Sequence, residues 1–248
     1  YQRAVRKRVP LVVLQDDDCH EVCADLFVNG NLYAPDLDYE FAGRKAKPCL
    51  GADYVLLRRE IRDWAEDKPP WREQPERALV MMGGSDVANL MPTVIRAFDG
   101  FDLRVDAIVG PGFSESQERR VQSSSESVSA DVSVVRDPED LVERMFQADF
   151  AVSSASSTTY ELLALGTPIV SIPVVDNQEP IARSLRDRDA AHVLERGAEA
   201  RDFSRAIETY MSNPELRRTR RDLGRRLVDG RGTKRVCTEV LPVARASS

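Results

Sequence analysis

Residues 152–180, VSSASSTTYELLALGTPIVSIPVVDNQEP, combine hydroxyl and carboxamide side chains in a pattern that could bind an oxygen-rich ligand. The hydroxyls surround the start of a short apolar helix, which we expect to begin near Thr158 after the strand DFAVS. The first N–H groups of a helix lack intrahelical partners and carry partial positive charge, so they attract phosphate oxygens. We therefore expect Ser156, Ser157 and Thr158 to let a diphosphate approach, and Glu161 to accept hydrogen bonds from ribose hydroxyls.

The same residues also have a structural interpretation. Thr158 and Glu161 fit a capping box, in which the glutamate only closes the start of the helix. Gly166 and Pro168 would then end that helix. Because this pattern is common, the local sequence by itself favours capping over binding.

A second polar cluster, Asp176-Asn177-Gln178-Glu179, follows the next apolar run, PIVSIPVV. Asn and Gln side chains both donate and accept hydrogen bonds, which suits a sugar with many hydroxyls. We expect Asn177 and Gln178 to face such a sugar. The alternative is that Asp176 or Asn177 caps the next helix, and the two roles are compatible.

Two glycine turns also follow apolar runs. Gly83-Gly84-Ser85-Asp86 comes after ALVMM, and Gly110-Pro111-Gly112 comes after RVDAIVG. Neither turn is a Walker loop or a GxGxxG motif, and glycine after a strand often marks only a tight turn. Four polar or glycine turns that all follow predicted strands are a stronger signal, and we assign Gly84, Ser85 and Pro111 to the same binding edge.

The elements around these turns alternate between apolar runs and amphipathic stretches, which is typical of βαβ units. We expect an α/β fold with a parallel sheet of about six strands, right-handed crossovers and ligands beyond the carboxyl ends of the strands. Asp137-Pro138 is expected to start one of the helices. The six predicted strands are ALVMM, RVDAIVG, VSVV, DFAVS, PIVSIPVV and AHVL.

Three domain regions are predicted. Residues 1–62 hold three candidate strands, VPLVVLQD (buried), ADLFVN and DYVLLR, and are expected to be part of a first Rossmann-like domain whose beginning is absent. Residues 63–76 are rich in proline and charge and are expected to be a linker. Residues 77–248 are expected to form the complete second domain, ending in the basic helix PELRRTRRDLGRRLVDG, whose charges we expect to face solvent.

Composition narrows the classes of partner. The chain has 248 residues, with 35 basic and 41 acidic residues and a net charge of −6, which argues against nucleic acid as a partner. No apolar run is long enough to span a bilayer and no signal-peptide pattern occurs, so no membrane insertion is expected. The four cysteines do not suggest a disulfide framework, and a cytoplasmic location is the simplest interpretation.

Several segments together resemble a known family. NLYAPDLDYE, GADYVLLRREI, VMMGGSD and SSASSTTYELLALGTPIVSIPVVDNQEPIA are similar to the UDP-sugar hydrolases of pseudaminic acid biosynthesis. That family includes proteins labelled as spore-coat polysaccharide biosynthesis glycosyltransferases, and behind it stands the MurG-like GT-B group. The resemblance covers most of residues 11–200, and the long serine-to-proline motif is its most specific part.

The resemblance implies two Rossmann-like domains with a UDP-sugar substrate in the cleft and no cofactor. Glu161 would then bind ribose, and this reverses the local preference for capping. Other residues are implied to contact the diphosphate (Ser156, Ser157, Thr158), the nucleotide (Arg58, Gly84, Ser85) and the sugar (Asn177, Gln178, Asn31, Tyr33). For Tyr33 the alternative is that its side chain simply packs against the protein.

The chain departs from the family at the expected catalytic base. Family members begin with a GxGH-like loop, and here the only histidines, His20 and His192, lie outside such a loop. We expect a missing N-terminal segment or a separate chain to supply the base, or Asp17 to act in its place. A metal site at Cys19, His20 and Cys23 is disfavoured, because these spacings miss the structural zinc patterns.

The sequence therefore predicts a hydrolase that releases UDP from a UDP-linked deoxyamino sugar for nonulosonic acid synthesis. A GT-B glycosyltransferase, with an acceptor hydroxyl in place of water, is one alternative. A nucleotide-sugar-binding remnant without activity is the other.

Overall fold

The computed structural model describes residues 9–17, 21–42 and 46–245. The strands are β1 (Val12–Leu14), β2 (Leu26–Asn29), β3 (Lys47–Leu50), β4 (Arg77–Met81), β5 (Arg104–Val109), β6 (Asp131–Arg136), β7 (Phe150–Ser154), β8 (Ile169–Ile172) and β9 (His192–Val193). The α-helices are α1 (Arg59–Ala65), α2 (Met91–Arg96), α3 (Glu115–Ser125), α4 (Leu141–Gln147), α5 (Thr158–Leu165), α6 (Glu179–Asp187), α7 (Ala200–Ser212), α8 (Pro214–Leu227) and α9 (Gly232–Arg245).

The chain divides into two compact units. The first unit comprises Tyr1–Arg62 and Leu227–Ser248, and the second comprises Asp63–Arg226. This division differs from the predicted one in two respects: residues 63–76 belong to the second unit, and residues 227–248 belong to the first. The reason for the second difference is that α9 packs on β2 and on the 3-10 turn Ala52–Tyr54.

The first unit contains a three-stranded parallel sheet in the order β1-β2-β3. Successive side chains of a strand point to opposite faces, and β2 follows this rule. Leu26 and Val28 pack with Val236 of α9, whereas Phe27 packs on the other face, with Tyr39 and Phe41 edge-on to its ring.

Two expectations for the first unit are wrong. VPLVVLQD does form β1, but the strand is only partly buried, and Leu14 is 58% exposed. DYVLLR forms no strand; its start belongs to the 3-10 turn, and the third strand is Lys47–Leu50 instead. The turn packs closely on the start of α9, since a Cβ on Gly232 would lie 2.1 Å from the carbonyl oxygen of Val55.

The second unit confirms the predicted α/β architecture. Its six strands are all parallel and lie in the order β6-β5-β4-β7-β8-β9. One face of the sheet packs into a core built from alternate residues of the central strands, with aromatic residues from the helices around it. Members of this core include Val80, Val105, Val152, Val170, Phe98, Phe150, Phe203 and Tyr210.

The helix expected at Asp137-Pro138 begins later. Asp137 has a φ of 42°, which is left-handed, and α4 starts at Leu141. Proline sets its own φ for a helix start, but here the residue before it turns the chain away from helical geometry.

The basic helix α8 is not simply a solvated surface. Arg217 is fully buried and Arg220 is 8% exposed. The guanidinium of Arg217 donates to the backbone carbonyls of Tyr210, Arg72 (3.0 Å) and Glu73 (2.6 Å).

The predicted linker is held against this helix. Guanidinium groups of Arg217, Arg218 and Arg221 lie 4.7–5.4 Å from the ring centre of Trp71, a cation–π distance. Arg225 donates to the carbonyl of Ala65 at 2.8 Å. Residues 63–76 are therefore packed structure of the second unit, and the arginines of α8 act in folding.

Candidate functional site

The strand order of the second unit marks one point on its sheet edge. Following the chain, β5 and β6 are added on one side of β4, and β7, β8 and β9 are added on its other side. The direction in which strands are added therefore reverses between β4 and β7. In open parallel sheets, ligands bind outside the carboxyl ends of the strands at such a switch point. The two turns that meet there are residues 83–86 after β4, called the β4 turn below, and residues 155–157 after β7. A Cβ on Gly83 would lie 3.6 Å from Ser154 Oγ.

The glycine turns after β4 and β5 are joined. The N–H of Gly112 donates to the carbonyl of Gly84 at 2.9 Å. A Cβ on Gly110 would lie 2.5 Å from that same carbonyl oxygen, so only glycine fits there without movement. Gly84 itself faces outward, is exposed, and has nothing within 4 Å of the position of a Cβ. The sequence-predicted residues Gly84, Ser85 and Pro111 thus share one surface, with open space above Gly84.

A buried carboxylate supports the β4 turn, and the sequence interpretation gave it no role. Asp86 is 2% exposed and accepts hydrogen bonds from the N–H groups of Leu90 (2.9 Å) and Met91 (3.0 Å) at the start of α2. Burial raises the pKa of Asp86, and the two N–H donors and Arg120 partly oppose this. An aspartate four to five residues ahead of a helical pattern is the signal that could have identified this cap.

The hydroxyl-rich turn leads into α5 as predicted. The helix begins at Thr158, and Ser157 is the N-cap residue without a side-chain capping hydrogen bond. Thr158 is therefore not the N-cap of a capping box. Ser157 is exposed, and Ser156, Thr158 and Glu161 are half-buried. The rest of the helix is mostly buried, and it ends at Gly166 in the left-handed conformation, φ 78°.

Backbone donors are available at this helix start. The N–H of Thr159 donates to Ser156 and the N–H of Tyr160 donates to Ser157. For the N–H groups of Ser157 and Thr158, no backbone acceptor is found among the described residues. Such donors at the positive end of a helix suit an anion.

The polar turn after β8 is partly occupied by its own contacts. Asp176–Gln178 form a 3-10 turn, and neither Asp176 nor Asn177 is the N-cap of α6, which is Gln178. The N–H of Val174 donates to Gln178 Oε1 at 2.9 Å, and Asp176 pairs with Arg196 at 2.7 Å. Asn177 is exposed. The amide oxygen of Gln178 therefore stabilises its own turn, and its role with a sugar remains a prediction.

In the first unit, Asp17 and Tyr33 lie near each other beyond β1. Asn31 lies beyond β2, where its N–H and Nδ2 donate to Asn29 Oδ1 at 3.1 and 2.9 Å. Gln15 Nε2 donates to Asp17 Oδ1 at 2.6 Å, and the Tyr33 hydroxyl donates to the carbonyl of Asp16 at 2.9 Å. Burial raises the pKa of Tyr33, and the charges of Asp16 and Asp17 raise it further. The Tyr33 hydroxyl therefore stays protonated at neutral pH, beside the Asp17 carboxylate.

Arg58 and the residues of the disfavoured metal site are the remaining predicted residues. Arg58 is exposed just before α1. His20 and Cys19 lie outside the described residues. Within the described ranges, no group of three His, Cys, Asp or Glu side chains could hold a metal ion. Among the described residues, Cys49 and Cys237 are free thiols.

The two parallel sheets belong to the GT-B glycosyltransferase type of α/β fold. MurG of Acinetobacter baumannii matches 91% of this chain and 65% of its own, with a TM-score of 0.65 and 17% identity. The calicheamicin glycosyltransferase CalG4 matches 89% and 52%, with a TM-score of 0.57 and 16% identity. UGT2 of Phytolacca americana, solved with UDP-2-fluoro-glucose and pterostilbene, matches 88% and 52%, with a TM-score of 0.54 and 15% identity. At these identities the likeness establishes the fold alone.

Two curated proteins are similar in sequence. The spore coat polysaccharide biosynthesis protein SpsG of Bacillus subtilis is 27% identical over 221 residues, covering 86% of this chain and 63% of that protein. The uncharacterized protein MJ1062 of Methanocaldococcus jannaschii is 25% identical over 124 residues, 48% of this chain and 26% of that protein. The chain thus spans less than two thirds of the length of these relatives. No model of a known protein family matches it.

A search of the described residues for membrane-spanning segments finds no helix with the necessary length and apolar character.

Proposed function

We propose that the second unit binds the nucleotide of a UDP-sugar at the carboxyl edge of β4 and β7, and that the protein transfers the sugar to an acceptor hydroxyl. One observation carries the proposal: the start of α5, with its available N–H donors, and the open surface at Gly84 flank the switch point of the sheet. Nucleotides bind at such points in other open parallel sheets.

The proposed roles follow from the chemistry of each group. The N–H groups of Ser157 and Thr158 and the hydroxyls of Ser156, Ser157 and Thr158 would hold the diphosphate, and Glu161 would accept hydrogen bonds from the ribose. Charge builds on the leaving UDP as the bond to the sugar breaks, and fixed donors at a helix start stabilise that charge more than they stabilise the ground state. Gly84, Ser85 and Pro111 would complete the nucleotide side of the site in the second unit.

Sugar contacts are proposed on separate grounds. Asn177 and Gln178 would contact the sugar by their amides. In the first unit, considered by itself, Asn31 and Tyr33 are the proposed sugar-binding residues. Asp17 would accept the proton of the attacking hydroxyl. This role is supported by the position of the Asp17 side chain beyond the end of β1, where Gln15 Nε2 donates to it and its charge acts on the Tyr33 hydroxyl.

Transfer and hydrolysis differ only in the nucleophile that attacks the anomeric carbon. CalG4 is named as a glycosyltransferase, and the Bacillus subtilis relative is named for polysaccharide biosynthesis. These likenesses support the transferase better than the predicted hydrolase. Nothing in them supports a pseudaminic-type sugar.

The binding step is tested by Glu161→Ala with UDP in isothermal calorimetry. Loss of charge-assisted hydrogen bonds to a ribose should weaken binding by about 1–3 kcal/mol, or roughly 5- to 150-fold. Glu215→Ala, an exposed carboxylate on α8, is the matched control and should bind UDP as the wild type does. An unchanged dissociation constant for E161A would exclude the ribose contact.

The reaction is tested by measuring UDP release from UDP-sugars with and without a panel of hydroxylated acceptors. Release that requires an acceptor supports transfer. Release at the same rate in buffer alone would establish the hydrolase instead. Tight UDP binding without release under either condition would favour the binding protein without activity.

A further inference from the structure

Gln117 makes two sets of hydrogen bonds from one side chain. Its Oε1 accepts from the N–H and the hydroxyl of Ser114, both at 2.9 Å, and its own N–H donates to Ser114 Oγ at 3.3 Å. These contacts form the capping box at the start of α3. If capping were its whole role, the other end of the amide would have no required partner.

The other end of the amide reaches the β4 turn. Gln117 Nε2 donates to the backbone carbonyls of Ser85 at 2.9 Å and Asp86 at 3.2 Å, 32 and 31 residues away in the chain. Asp86 has a φ of 40°, a left-handed conformation that costs free energy for a residue with a side chain. A turn in this conformation needs external contacts to hold it in a single shape.

We infer that Gln117 is a positioning residue for the β4 turn, Gly83–Asp86, and through it for the nucleotide. The inference rests on the proposed function for its second part only. Gln117 is not itself among the predicted ligand contacts. Its Nε2 holds the backbone carbonyl of Ser85, which is next to the open face of Gly84. Together with the bond from Gly112 to Gly84, it fixes the turns after β4 and β5 to each other.

Two substitutions separate positioning from capping. Gln117→Glu keeps an acceptor for Ser114, since glutamate is the usual third residue of a capping box, and adds charge that suits a helix start. It removes the donor to Ser85 and Asp86. Gln117→Met also removes the donor, carries no charge and has a similar length, so a shared effect cannot come from repulsion of the diphosphate. Arg119→Ala, which breaks an exposed pair with Glu115 on the same helix, is the control.

The first readout is amide hydrogen exchange, without ligand, at Gly112, Leu90 and Met91, whose N–H groups donate to Gly84 and Asp86 of the turn. We expect Q117E and Q117M to accelerate exchange of these three N–H groups by about tenfold, because the turn opens locally more often. The thermal midpoint of Q117E should stay within about 1 °C of the wild type, and R119A should be unchanged in both measurements. The second readout is UDP affinity, which should fall about tenfold in both variants, equivalent to about 1.4 kcal/mol.

Each outcome decides a separate claim. Wild-type exchange at Gly112, Leu90 and Met91 in both variants would overturn the positioning role. Faster exchange with wild-type UDP affinity would overturn its connection to the nucleotide. If the wild-type protein itself fails to bind UDP, the proposed function fails, while the exchange measurement still decides whether Gln117 positions the turn.

Discussion

Gly110 and Gly84 provide the sharpest test of the β4 turn, because one is tightly packed and the other borders open space. A methyl group at Gly110 would lie 2.5 Å from the carbonyl oxygen of Gly84 and 2.8 Å from its Cα, whereas a methyl group at Gly84 would meet nothing within 4 Å. Both positions have φ values that ordinary residues adopt, since neither is among the positive-φ glycines. The same chemical change, Gly→Ala, should therefore have opposite consequences.

The magnitudes follow from these distances. To reach an ordinary contact of at least 3.4 Å, the 2.5 Å approach at Gly110 must open by about 0.9 Å against backbone that is hydrogen-bonded to Gly112. Forcing extra volume into a packed site costs about 1–3 kcal/mol. At Gly84, alanine should be neutral or stabilise by about 0.4–1 kcal/mol, because it restricts the unfolded chain.

Ligand binding should follow a different order from stability. If the nucleotide approaches the backbone of Gly84, the methyl group of G84A occupies space that the ligand needs, and UDP affinity should fall by about 5- to 150-fold. Urea unfolding measures the first effect and calorimetry with UDP measures the second. G84A that binds UDP like the wild type would remove Gly84 from the site. G110A with an unchanged unfolding midpoint would refute the tight contact between the turns.

Two further predictions concern the support of the second unit. Arg217→Met leaves three backbone carbonyls without their buried donor. The free energy of unfolding should therefore fall by about 3–5 kcal/mol, whereas R119A should lower it by about 0.5 kcal/mol or less. Equal urea midpoints for the two variants would contradict a stabilising role of the Arg217 hydrogen bonds. Burial, and then the charge of Arg220, lower the pKa of His192 below its usual 6.5, with Asp189 opposing them. The folded state therefore disfavours the imidazolium, so stability is present above about pH 6.5 and falls as the pH drops below it. His192→Gln should flatten this part of the profile of urea midpoint against pH, and identical profiles would rule the effect out.

The strands that the sequence predicts well are those that are buried on both faces of the sheet. β4, β5 and β7 come from apolar runs that have no other stable location than the centre of a parallel sheet. β3 was missed because Lys47-Pro48-Cys49-Leu50 exposes two of its four residues and contains a proline. The sequence predicts a strand at DYVLLR instead. Val55 and Leu57 of that run are buried, but they lie against the start of α9, about 180 residues later in the chain. No local pattern contains such a contact.

For the candidate site, the sequence predicts which turns share one edge of the sheet, but it does not predict how these turns contact one another. Alternation of strands and helices is enough to bring the turns after β4, β5, β7 and β8 to one edge. Which two of them flank the switch point depends on β4 pairing with β7, and that pairing is a property of the whole sheet. The Ser114-x-x-Gln117 pattern could have revealed the cap of α3. Its bonds to Ser85 and Asp86 follow only from the packing of α3 beside that turn.

The arginines show why a basic stretch can misdirect a functional interpretation. The chain has thirty Arg and five Lys, and a guanidinium offers five donors in a fixed plane, so one side chain can serve several backbone carbonyls. Arg217 does this for three carbonyls, Arg225 for Ala65, and Arg72 for Gln147. A lysine at these positions could not reproduce the geometry. The arginines of α8 therefore hold residues 63–76 within the second unit. We propose that anions bind instead at the start of α5, where backbone donors would take the place of charged side chains.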